Sequence, residues 1–126
     1  MTDTELDGED QGSVEEFETH EDLGKPSPEY GPQAERDQPL VMVADNDAEL
    51  RKLLRTHFDS VECHLIEASD GAETLEKVIV HKPDLLILDV MMPELNGWEV
   101  CKYIRQHDQF ENVGVVMLTG IGPTNN

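Results

Sequence analysis

Asp84-Leu85-Leu86-Ile87-Leu88-Asp89 decides how this chain folds. Four consecutive large aliphatic residues leave no polar position for a wet face. They read as a strand buried on both sides, the pattern of a parallel sheet covered by helices. Parallel neighbours need crossover connections, so helices have to flank this strand. Upstream, Ala72, Leu75, Val78 and Ile79 mark the inner face of a helix that must stop before Pro83. Downstream, Asn96-Gly97 opens another helix, with Val100, Cys101 and Ile104 on its buried side. Further upstream, Leu40-Val41-Met42-Val43-Ala44 is a second continuous apolar run, and Asp47 stands as N-cap ahead of Leu50, Leu53, Leu54 and Phe58. Val61 to Ala68 reads as a strand closed by the turn Asp70-Gly71, and Val113 to Leu118 as a fourth. Alternating all-apolar strands and amphipathic helices define an α/β doubly wound parallel sheet.

Composition narrows the function. The chain has 126 residues with 28 Asp and Glu against 9 Lys and Arg, a formal charge of −19. Such an acidic balance repels phosphate backbones and anionic lipid, so neither nucleic acid nor a membrane surface is an expected partner. Two cysteines, Cys63 and Cys101, make no disulfide framework and no paired zinc spacing. No apolar run is long enough for a membrane span, and the start Met1-Thr2-Asp3-Thr4-Glu5 is acidic where a secretory signal is basic. A cytoplasmic protein with reduced thiols is the expectation. The charge is uneven. Residues 1–39 hold 13 acidic and two basic residues and four of the seven prolines, with apolar residues in no period. They read as a disordered acidic tail, with the ordered domain spanning 40–126.

In open parallel sheets, ligands bind beyond the carboxyl ends of the strands. Here the first strand runs into Asp45-Asn46-Asp47, the third ends at Asp89 and the fourth meets Thr119-Gly120. If the first and third strands are neighbours, Asp45 and Asp89 converge. Converging carboxylates remain ionised when a cation or hydrogen-bond donors lie between them, and an oxygen-only set suits Mg²⁺. Asp89 then qualifies as a nucleophile toward a phosphoryl group held in line, with the Thr119 hydroxyl donating to a phosphoryl oxygen. Trp98 and Cys101 read as packing residues. His57, His64, His81 and His107 have no metal-like spacing, and Arg51, Lys52 and Arg55 read as a solvated helix face.

Taken together, Asp45-Asn46-Asp47, Ala68-Ser69-Asp70-Gly71, Leu88-Asp89-Val90-Met91-Met92-Pro93, Asn96-Gly97 and Met117-Leu118-Thr119-Gly120, with Arg51 in the first helix, resemble the receiver domain of two-component response regulators. The resemblance implies a flavodoxin-like (CheY-like) sheet of order 2-1-3-4-5, incomplete here after the fourth strand, because the fourth helix, the fifth strand with its lysine and the fifth helix would lie beyond Asn126. It implies a phosphorelay module that takes a phosphoryl group from a sensor histidine kinase or phosphotransfer protein onto Asp89. No turnover of an external substrate is expected beyond self-phosphorylation and self-dephosphorylation. Asp45, Asn46, Asp89 and the Met91 backbone carbonyl would hold Mg²⁺ or Mn²⁺, and Thr119 would contact the phosphoryl group. Asn46 departs from the pattern, which places a second acid there, and removes one negative charge from the metal site. With the absent lysine it favours the alternative, a receiver-like interaction module that works without phosphorylation. The exposed fourth strand offers a route to self-association.

Overall fold

The computed structural model describes residues 23–118. Its core is a four-stranded parallel sheet made of β1 (Leu40–Ala44), β2 (His64–Ala68), β3 (Leu85–Asp89) and β4 (Gly114–Leu118), in the order β2-β1-β3-β4. Helices α1 (Ala48–His57), α2 (Gly71–His81) and α3 (Gly97–Gln106) connect successive strands. Every residue of β1 is buried, as the unbroken apolar run requires. The sheet order and the parallel pairing match the expected architecture over the described residues.

The two sheet faces carry different loads. Met42, Ala44, Leu86 and Leu88 point to the side covered by α2 and α3, where they meet Leu75, Val78, Ile79, Val100, Tyr103, Ile104 and Phe110 in the main core. Val41, Val43 and Ile87 point to the other side, toward Leu54 and Phe58 at and beyond the end of α1. Burial of this apolar surface, at about 25 cal/mol per Å², is the main favourable term in folding.

Helix phase corrects several side-chain assignments. Trp98 is 61% exposed and Leu53 54% exposed rather than packed. In α3 the inward stripe runs through Gly97, Val100, Tyr103 and Ile104, which turns Trp98 outward. Ala72 is exposed, while Thr74 shares the buried face of α2 with Leu75, Val78 and Ile79. The second strand begins at His64 rather than Val61, because a short 3-10 turn over Phe58–Ser60 takes up the preceding chain.

The expected structureless tail reaching Pro39 differs from what residues 23–39 show. They pack at the amino end of the sheet through a bridge between Ser27 and Gly31 and a 3-10 turn at Gln33–Glu35. Arg36, whose side chain is only 3% exposed, is the anchor. Its guanidinium donates to the carbonyls of Lys82 (2.9 Å), Gly31 (3.2 Å) and His81 and pairs with Asp84 at 3.1 Å. Asp84 also accepts from the Leu40 amide at 2.7 Å, so one carboxylate ties the strap to the start of β1. Residues 1–22 lie outside the described residues.

Candidate functional site

At the opposite, carboxyl end of the sheet, the register pairs Ala44 with Leu88, so Asp45 and Asp89 emerge side by side. Asp45 is 3% exposed. Its carboxylate accepts from the Asp47 amide at 2.8 Å, and the Asp89 carboxyl is near enough to act on it electrostatically. Burial pushes the Asp45 carboxyl above the usual carboxylate range. The Asp47 amide opposes that shift, while the charges of Asp89 and Asp47 add to it. Asp89 is half-buried and accepts from the Met91 amide at 3.0 Å.

Local chemistry holds the loops that carry these groups. Asp47 caps α1, accepting from the amides of Glu49 (2.9 Å) and Leu50 (3.4 Å), as its position ahead of the helix indicates. It is thereby committed to the helix rather than to the acid pair. Asn46, between the two aspartates, is exposed. Beyond Asp89, the Val90 carbonyl accepts from the amides of Met92 and Gly97, both at 3.1 Å, which folds the loop back over the strand end. Glu94 takes a left-handed backbone (φ 67°) in the turn that closes on Asn96. Asn96 and Glu99 then cap α3 reciprocally, at 3.1 and 3.0 Å.

Gly97 is required by this arrangement. A Cβ there would stand 2.5 Å from the Asp89 carbonyl oxygen and 2.8 Å from the Val90 Cα. Absence of a side chain lets the start of α3 press against the backbone of the acid-bearing strand.

Of the residues singled out in the sequence, the fold brings together Asp45 and Asp89 at one strand edge, with Asn46 and Met91 one and two residues along. Met91 is 73% exposed, and its carbonyl belongs to the loop beside Asp89. Thr119 lies outside the described residues. Among the described residues, no group of three or more His, Cys, Asp or Glu side chains is assembled for a metal. What the edge offers is two carboxylates, one of them buried, with amide and backbone oxygens close in sequence. This all-oxygen set fits a hard divalent cation that keeps several of its waters.

Arg51, which fits the family pattern but reads in the sequence with Lys52 and Arg55 as a solvated helix face, joins this edge. It does not lie on a solvated face: Nη1 donates to the Asp45 carbonyl at 2.6 Å, and Nε donates to Glu67 at 3.1 Å. A side chain reaching back six residues to a carbonyl leaves no periodic trace in the sequence. Among the described residues, the histidines make their hydrogen bonds away from the acid pair. His64 and His81 flank the ring of Tyr30 in the strap, and His107 stacks on Tyr103.

A parallel sheet wound on both faces, with paired carboxylates at its carboxyl edge, defines a receiver-type signalling domain. The comparisons agree. The response regulator receiver domain family matches residues 41–125, and the chain belongs to this family. It is 39% identical over 82 residues to the probable transcriptional regulator ycf27 of Guillardia theta, covering 65% of this chain and 31% of that protein. It is 44% identical over 66 residues to the alkaline phosphatase synthesis transcriptional regulatory protein PhoP of Bacillus subtilis, covering 52% of this chain and 28% of that protein. The chain thus spans about a third of the length of these curated relatives. Among solved structures, the receiver domain of the Francisella response regulator 1452 superposes with a TM-score of 0.61 at 29% identity, covering 71% of this chain and 72% of that one. The response regulator domain of Thermotoga maritima CheB superposes with a TM-score of 0.59 at 34% identity, covering 67% and 62%. Among the described residues, no helix is long and apolar enough to cross a membrane.

Proposed function

We propose that this receiver accepts a phosphoryl group on Asp89 from the phosphohistidine of a sensor kinase or phosphotransfer protein. The observation that carries this reading is the placement of Asp89 at the end of β3, half-exposed and against the buried carboxyl of Asp45. Of the two acids, Asp89 has the access a nucleophile needs, while Asp45 is enclosed. In the transfer, an Asp89 carboxylate oxygen forms a P–O bond as the donor P–N bond breaks, and the imidazole nitrogen keeps the electron pair. Hydrolysis reverses the state: water attacks phosphorus, the Asp89 P–O bond breaks, and inorganic phosphate leaves.

Asp45, Asn46, Asp89 and the Met91 carbonyl are the residues that would hold Mg²⁺ or Mn²⁺. A bound divalent ion supplies neutralisation of charge on the transferring oxygens. The Asp47 amide fixes one oxygen of the Asp45 carboxylate. Thr119, next after β4, is the candidate donor to a phosphoryl oxygen. This chemistry belongs to the cytoplasm, where the donor kinases present their phosphohistidines.

The test is intact mass after incubation with Mg²⁺ and acetyl phosphate. The expected result is a single phosphoryl adduct that hydroxylamine removes, that chelation of the metal prevents, and that Asp89→Ala abolishes. Absence of an adduct from folded protein would reject the reading. It would favour a receiver that binds partners without phosphorylation, for which the uncharged Asn46 is the specific supporting observation.

A further inference from the structure

Asp45 is braced at every polar backbone atom. Its amide donates to the Ala68 carbonyl at 3.0 Å, and its carbonyl accepts from Arg51 Nη1 at 2.6 Å. The same guanidinium is fixed by Glu67, which accepts from Nε at 3.1 Å, and the second Glu67 oxygen is gripped by Arg55. Glu67 and Ala68 are consecutive residues of β2, in register with Val43 and Ala44. A closed circuit therefore runs from β2 through Glu67 and Arg51 to the Asp45 carbonyl, and back through the Asp45 amide to β2. The Arg51 side chain is 18% exposed, so its hydrogen bonds are partly shielded from water and from salt.

We propose that Arg51, braced by Glu67, is a positioning residue for the acid pair. It fixes the peptide plane joining Asp45 to Asn46, and with it the two oxygen donors that this strand end contributes. The inference rests on the metal-assisted phosphoacceptor reading. Two properties of the guanidinium suit it to the task. Its charge strengthens the bond to the carbonyl, and its rigid fork engages a carbonyl and a carboxylate at once. A lysine at 51 reaches one of these partners but not both in a fixed geometry. Arg51 bonds to the Asp45 carbonyl and to Glu67, so its effect travels through Asp45.

The experiment compares wild type, Arg51→Ala, Arg51→Lys and Glu67→Gln with Mn²⁺ as the probe. Free Mn²⁺ is read by electron paramagnetic resonance, exchange of the Asp47 amide by NMR in metal-free protein, and folding by thermal unfolding. The Asp47 amide reports on positioning because it is held by the Asp45 carboxylate. Expected are an about tenfold loss of Mn²⁺ affinity in Arg51→Ala, a smaller loss in Glu67→Gln and partial rescue in Arg51→Lys, the scale typical of residues that orient metal ligands. Exchange of the Asp47 amide should quicken in the same order. Lower melting temperature with unchanged Mn²⁺ affinity and unchanged Asp47 exchange would overturn the proposal and leave Arg51 a purely structural residue. Should Arg51→Ala fail to fold, Arg51→Lys and Glu67→Gln still carry the comparison. A wild-type protein that binds no Mn²⁺ rejects the metal reading instead, and Asp47 exchange then decides the positioning role alone.

Discussion

Asn46 presents an amide oxygen where a carboxylate would add a full negative charge beside Asp45 and Asp89. Divalent-cation affinity depends on the number of charged ligands, so Asn46→Asp should tighten Mn²⁺ binding about tenfold. Titration of both proteins by electron paramagnetic resonance checks this, and equal affinities would place residue 46 outside the metal's reach. A second residue-scale prediction concerns Glu73. The Ser69 amide, donating at 2.8 Å, together with Lys77 (2.9 Å) and the Ser69 hydroxyl (2.9 Å), holds this carboxyl down to about 2, against partial burial. A depressed folded value means that the stabilisation is present above the unfolded value near 4.5 and is lost as pH falls toward about 2. Glu73→Gln should cost about 1–2 kcal/mol at neutral pH after solvent screening, and should flatten the acid limb of a stability–pH curve in that window. Urea unfolding across the range reads both effects. At this scale the sequence was informative where a residue's role follows from its place at a strand end or helix start, as for Asp45, Asp47 and Asp89. It placed Arg51 in the family pattern but gave no sign of its partners, a carbonyl six residues back and a carboxylate on another strand.

Among the elements, the helix starts at Asp47 and Asn96 were readable because caps are local: each satisfies helix amides within three residues. Asp70, read as part of a turn, proves to cap α2 in the same way. The phase of each helix was harder, since a stripe of leucines does not say which one faces the sheet edge, and Leu53 turned outward. The strap at 23–39 was not readable at all. It is held by one guanidinium filling the carboxyl end of α2 and by the Ser27 hydroxyl against His81 (2.7 Å), not by periodic apolar burial. Lys82, in a left-handed conformation at the end of α2, turns carbonyls toward Arg36 that the helix itself leaves unpaired. Arg36→Ala should therefore cost roughly 2–3 kcal/mol, because it removes several charge-assisted bonds and leaves the partly buried Asp84 without its cation. Urea unfolding should show the loss, and limited proteolysis should cut within 23–39 before the sheet. Unchanged stability with an uncut strap would contradict the anchoring role.

For the molecule as a whole, the two ends of the sheet carry separate duties. The amino edge is closed by the strap, and the carboxyl edge presents the acids. Continuous apolar runs made the parallel sheet legible, and the sheet in turn made the meeting of Asp45 and Asp89 legible, because register alone carries β1 and β3 to a shared end. The central claim is that this meeting makes Asp89, and not Asp45, the phosphoryl acceptor. Borohydride reduction of the phosphorylated protein tests it directly, since it converts an acyl phosphate to an alcohol at the modified residue and peptide mass spectrometry locates it. The account predicts homoserine at position 89, dependent on Mg²⁺, with Asp45 unmodified. Reduction at position 45, or at neither position in folded protein carrying phosphate, would contradict it.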